Sequence, residues 1–132
     1  MAKQMVVILY KDKIDRMLNH PDGMMGRHLS KQAKKVQAAA KRQVGVDSGR
    51  LKRSIRVYGH KRTAMGQELF IGSAVPYARI HHEGTKRHRI SAKNRSYLKF
   101  RSGSVITYRR SVNHPGTKPN RYLSDNLYLF YS

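Results

Sequence analysis

The chain has 132 residues, 39% of them hydrophobic, which suffices for one domain with a modest core and is too few for two comfortable ones. Its 28 Lys/Arg stand against 7 Asp/Glu, a net charge of +21, so copies repel one another in dilute salt and any polyanion is attracted. The absence of cysteine removes disulfide and thiol chemistry.

In chain order, residues 4–10 (QMVVILY) read as a β-rich apolar strand; the run is too short for a signal-peptide core or a membrane span. Ile14, Met17 and Leu18 then recur at helical spacing within 11–20, predicting a short helix. Pro21 is expected to stop it and to occupy the first turn of the next helix, with Asp22 beside the positive helix end. From Met24 to Val44, the residues Met25, Leu29, Ala33, Val36, Ala40 and Val44 fall on one helical face, with Arg27, Lys34 and Lys41 in a basic row off it. Gly45 is expected to end this helix.

After Gly45 the period changes. Residues 51–59 (LKRSIRVYG) alternate loosely and predict a strand, 60–66 a polar hairpin loop, and 67–73 (QELFIGS) a second strand. Residues 76–84 predict a short helix with Pro76 in its first turn and Gly84 past its end. Leu98 and Phe100, the Ser102-Gly103 turn, and Ile106 and Tyr108 predict a hairpin over 96–111. NHPGTKPN (113–120) reads as a stiff turn, and Leu123, Leu127 and Phe130 as a C-terminal helix. The order predicts a single α+β domain over 1–132: an N-terminal strand and helix (1–20), a long helix (21–45), a sheet with an inserted short helix (46–112), and a turn with a C-terminal helix (113–132). Its antiparallel sheet packs against the one long helix.

Candidate chemistry is sparse. His81, His82, Glu83 and His88 invite a metal, but adjacent histidines on a helix point about 100° apart, and the helical zinc signature needs two histidines four apart around a glutamate. Solvated or partner-facing histidines are the expectation, with no metal and no cofactor. Hydrolysis lacks paired carboxylates: Glu68 and Glu83 are the only acids between Asp47 and Asp125. Tyr58, Tyr77, Tyr97, Phe100 and Tyr108 interleave with cations as in nucleic-acid stacking platforms, although strand tyrosines more often edge a core. Charge-driven contact with a polyanion survives this weighing; sequence-specific recognition does not.

Three segments carry a resemblance when read together. VDSGRLKRSIRV (46–57) resembles the Thr/Ser-Gly-x-Leu-x-x-Ser-Ile segment of tail-completion, or head–tail joining (neck, minor tail), proteins of long-tailed bacteriophages. IGSAVPYARIHHEGT (71–85) resembles that family's Gly-Ser-x-x-x-Tyr-Ala-x-x-x-x-Glu-x-Gly-Thr. HPGTKPNRYL (114–123) resembles its His-Pro-Gly-Thr-x-x-x-x-Phe-Leu, with Tyr122 in the usual phenylalanine place.

The resemblance implies a virion structural protein without catalysis, forming a homo-oligomeric, six-fold ring between connector and tail tube, with DNA passing through and no membrane association. Subunit or partner contacts are then expected at Ser48, Gly49, Arg50, Leu51 and Arg53. A second group comprises Tyr77, Arg79, His81, His82 and Glu83, followed by the basic loop Thr85, Lys86, Arg87, His88 and Arg89. A third comprises His114, Pro115, Lys118, Pro119 and Arg121. Residues 59–66 and 85–96 are expected to be loops that order against partners. Six copies at +21 each carry +126, whereas a ring ~40 Å tall surrounds about 24 phosphates at one per ~1.7 Å of duplex axis. Most of the positive charge is therefore expected to face acidic neighbours or solvent. The alternative is a basic protein that coats DNA or RNA without sequence preference.

Overall fold

The computed structural model describes residues 7–64 and 66–132, and the chain divides into two units, Met1–Val75 with Tyr122–Ser132, and Pro76–Arg121. The fold is α+β. Of the expected strand at 4–10, residues 4–6 lie outside the described residues, and Val7–Tyr10 run without strand pairing.

The first unit is organised by α2 (Met24–Gln43). The face read from the sequence is the buried one: Ala33, Val36 and Ala40 are wholly enclosed and Val44 nearly so, whereas Met25, toward the start of the helix, stays exposed. Small side chains at Ala33, Ala39 and Ala40 let neighbouring backbone approach closely, and Val36, Ile55 and Tyr122 are the largest side chains fully buried there. Burying each contributes roughly 1.5–3 kcal/mol. Pro21 does not open α2. It lies with Asp22 in a turn, and Gly23 is the N-cap. The helix ends at Gln43 on an extended Val44, so Gly45 is not its terminator.

The preceding helix α1 (Lys11–Asn19) buries no residue and keeps Ile14, Met17 and Leu18 more than a third exposed. It is tied to the sheet by polar contacts. Arg62 reaches Asp15 at 2.6 Å, and the Gln67 amide donates to the Leu18 carbonyl.

The expected strand at 51–59 begins instead with a helical turn, α3 (Arg50–Ser54), entered through Gly49 at φ +73°. Leu51 and Ile55 are spaced four apart, which suits a helix as well as a strand, and both are buried; the Arg53 amide donates to the Gly49 carbonyl at 3.0 Å, closing the helical turn. Strand β1 (Arg56–Thr63) then runs through the segment expected as a polar loop and pairs antiparallel with β2 (Gly66–Gly72). Gly59, at φ +47°, is the extra residue of a bulge between Tyr58 and His60, which explains why the alternation of this strand is irregular. The β1–β2 hairpin packs on α2.

The unit closes with a C-terminal 3-10 helix, Ser124–Phe130, where a C-terminal helix was expected. It is stitched to α2 through side-chain amides: Gln43 donates to Asp125 at 3.0 Å, and Asn126 donates to Gln43 at 2.7 Å. Gln32 and Lys35 both donate to the carbonyl of Ser132.

The second unit contains α4 (Ala78–Glu83) and four short strands, β3 (His88–Ser91), β4 (Leu98–Ser102), β5 (Val105–Arg109) and β6 (Ser111–His114). Strand β4 pairs with β5 as the expected hairpin, turning at Gly103 (φ +61°). The pairing of β3 with β6 is not predicted by the sequence, and it puts residues 88–91 of the expected loop 85–96 into sheet.

Tyr122, 1% exposed, anchors the start of the C-terminal segment. Tyr122→Ala is expected to cost about 3–5 kcal/mol in chemical denaturation. Burial raises its phenol above the usual 10.0. The unfolded chain therefore ionises first as pH climbs past that value, and stability is lost from there up to the raised folded value. Tyr122→Phe should remove this share of the alkaline loss, seen as a shallower fall in stability as pH climbs past 10.0.

Candidate functional site

The three segments marked by the sequence differ in what they offer. In the first, the exposed Ser48 carbonyl accepts from the Arg53 guanidinium at 3.4 Å, and the Ser48 hydroxyl accepts from the Arg50 amide at 3.4 Å. Leu51 is buried, so its side chain serves the interior of its own unit. Ser54, which closes α3, hydrogen-bonds the Leu51 carbonyl and the Ser73 hydroxyl, both at 2.6 Å, joining the first motif to the second. Of the contact residues expected in this segment, Ser48, Arg50 and Arg53 are exposed.

The second and third segments meet. Gly84 leaves α4 at φ +74°, and Gly116 bends the chain after β6 at φ +93°. Between them Thr85 and Thr117 form a two-way antiparallel bridge, with amide-to-carbonyl distances of 3.0 and 3.1 Å and their hydroxyls 3.1 Å apart. The backbones are so close that a Cβ on Gly84 would lie 2.5 Å from the Thr117 carbonyl oxygen, and one on Gly116 would lie 2.3 Å from that of Thr85. The Asn120 amide donates to the His81 carbonyl at 3.1 Å, fastening the same loop to α4. The repeated tripeptide Gly-Thr-Lys, at 84–86 and 116–118, is thus the two halves of one backbone clasp.

The histidines are distributed by this architecture. His88 and His114 are cross-strand partners with ring centroids 5.1 Å apart. The His114 ring accepts from the Gly116 amide at 3.1 Å, and the His88 ring meets the Lys86 carbonyl at 2.8 Å. His81 and His82 are half-buried on α4, and Glu83 pairs with Arg79 one turn away at 3.0 Å on an exposed surface. Among the described residues, no three His, Cys, Asp or Glu side chains stand together as a metal site. Tyr77, Lys86, Arg87, Arg89, Pro115, Lys118, Pro119 and Arg121 are exposed, with Arg89 donating to the Ser111 hydroxyl at 2.8 Å.

The sequence reading overlooked two surfaces. Val7–Tyr10 expose four consecutive apolar side chains at 59–74%, a run that solvent does not favour. A groove of about 350 Å³ lies between α2, β2 and the C-terminal 3-10 helix, lined by Val36, Leu69, Ile71, Leu127, Phe130 and Tyr131 among others. Exposure of the first was legible only as an unpaired apolar run, and the second needs tertiary placement to be seen.

The chain is thus a small α+β protein with exposed apolar strips and a strongly positive surface. The chain belongs to the phage virion morphogenesis family, whose model matches residues 2–110. That makes it a structural protein of the phage virion, in keeping with the tail-protein resemblance. The match takes in the first two motifs and stops before the third. No curated protein and no solved structure matches the chain. No helix among the described residues is long and apolar enough to cross a membrane.

The clasp has a direct test. Gly103→Ala meets open space and should cost only the positive-φ penalty, about 1–2 kcal/mol. Gly84→Ala or Gly116→Ala should cost more, and should strip hydrogen-exchange protection from the Thr85 and Thr117 amides while Gly103→Ala leaves it in place.

Proposed function

We propose that the protein forms a ring in the phage neck that joins the connector of the DNA-filled head to the tail tube and completes the tail, with DNA passing through it. The observation that carries this reading is the family match over residues 2–110, together with three tail-protein motifs in their expected order. Its residence is the virion, after assembly in the host cytoplasm. The motifs, rather than the family description, support the neck as the location.

Physical features support an assembling role. Copies carrying +21 each repel, so contacts between them call for apolar surface, and Val7–Tyr10 together with the Leu127–Tyr131 region supply it. Contacts to neighbouring neck and tail proteins fall, in this reading, on the exposed members of the three motifs: Ser48 to Arg53, Tyr77 to Arg89 and His114 to Arg121. Those segments are mainly cationic, which suits acidic partners. The clasp stiffens two of them, so less entropy is lost when they dock.

A second reading, a basic protein coating nucleic acid, draws on one observation. Twelve of the 28 Lys/Arg lie in Pro76–Arg121 beside a single carboxylate, Glu83. Native mass at moderate salt separates the two: a closed ring, or one formed on adding neck partners, is expected, whereas a persistent monomer that coats any duplex favours the second. Phage lacking the gene should accumulate filled heads and unjoined tails by electron microscopy. Normal joined particles would remove the neck assignment.

A further inference from the structure

The second unit carries a feature that the motifs do not cover. In the β4–β5 ribbon the register sets Lys99 opposite Tyr108 and Arg101 opposite Ile106, so these four share one face. All four are exposed, whereas Leu98, Phe100 and Thr107 on the other face are half-buried. No carboxylate occurs from residue 84 to 124, and the unit's one acid, Glu83, is already paired with Arg79. At the ribbon's open end the Arg110 guanidinium lies 5.9 Å from the centre of the Tyr97 ring, a cation–π contact that positions both. Beside it opens a hollow of about 380 Å³ lined by Lys93, Asn94, Arg95, Tyr97 and Lys99 among others. Tyr97 and Lys99 border hollow and ribbon alike, making one continuous cationic and aromatic surface.

We infer that the exposed face of the β4–β5 ribbon, with the adjoining hollow, is a binding site for the phosphate backbone of duplex DNA. Three properties favour DNA over an acidic protein. A two-stranded ribbon fits the width of the major groove, and five residues a strand give it a reach of roughly 17 Å. Its tip, Ser102-Gly103-Ser104, is small and uncharged, so nothing bulky stops its approach. On this face Lys99 lies opposite Tyr108 and Arg101 opposite Ile106, with Tyr97 and Arg110 beside them and no carboxylate among them, an arrangement that meets a nucleic-acid backbone without reading sequence. The inference rests on the neck reading only for duplex DNA as the natural ligand; the chemistry of the face stands without it.

The test compares two triple variants of the full chain that remove equal charge: Arg95→Gln/Lys99→Gln/Arg101→Gln at the site, and Arg27→Gln/Lys31→Gln/Lys34→Gln on α2. Affinity for a random-sequence duplex is measured between roughly 50 and 200 mM salt. Three lost phosphate contacts lower the log–log salt slope by about 2.7, so the loss of affinity over that range shrinks about 40-fold. The site triple is expected to show this and the α2 triple less than a third of it. Equal effects from both triples, or none from either, overturn the site, as does a parallel loss of poly-glutamate binding, which points to an acidic protein instead. If the site triple melts early, Arg101→Gln alone should still lower the slope by about 0.9, and no change overturns the inference. A site triple with unaltered DNA binding that still enters particles rejects the site and spares the neck role. A wild-type chain that binds DNA through this face yet is absent from purified phage does the reverse.

Discussion

Four cations for every carboxylate is the constraint under which this chain folds. It cannot neutralise its own surface, and among the described residues the Arg–carboxylate pairs Arg62–Asp15 and Arg79–Glu83 are exposed and therefore weak. Cohesion has to come from elsewhere. In the first unit it comes from the alanine and valine face of α2, together with Ile55, Leu51 and Tyr122, where no charge is present. In the second, where Ala78 is the buried apolar residue, it comes from backbone pairing: the β3–β6 ladder, the β4–β5 hairpin and the clasp between Thr85 and Thr117. Backbone hydrogen bonds are indifferent to net charge, so this is a form of stability that a cationic surface does not tax.

What the sequence disclosed follows the strength of the periodic signal. α2 is legible in the sequence because Met25, Leu29, Ala33, Val36, Ala40 and Val44 mark one apolar face along it, although its ends fall inside the expected 21–45. The β4–β5 hairpin was legible because alternation and a glycine turn agree. Where signals were short they misled. Leu51 and Ile55, both buried, fit either period, so the apolar pattern does not separate a helical turn from a strand. The polar segment His60–Thr63 reads as loop because its partners lie on a solvated hairpin, where strand pairing needs no apolar residues. Residues 88–91 reveal nothing locally: their partners lie at 111–114, far along the chain, and all four are exposed.

Two of the motifs are joined to one another in the structure. As separate marks, Glu-Gly-Thr and His-Pro-Gly-Thr suggested contact loops. As a pair they are internal architecture, since each glycine is fixed by the other segment's backbone and each threonine bridges to its counterpart. The duplicated Gly-Thr-Lys was the available clue. A resemblance resting on such residues therefore reports a shared way of folding as much as a shared partner, and the side chains left free to meet a partner are the cations around them.

That division also bears on how a highly cationic protein could let DNA move. A channel wall that held every phosphate would resist passage, because each contact adds to the affinity and to its salt dependence. Cations spread over α2, α3 and the motif loops are free to meet acidic protein neighbours or solvent. A cationic patch confined to one narrow ribbon would engage a few phosphates at a time, and phosphates are alike at every step along the duplex. Contacts of that kind exchange without a preferred register, so grip and sliding are compatible when the number engaged stays small. The sorting of charge between ribbon and scaffold, more than its total, then sets the resistance that DNA would meet.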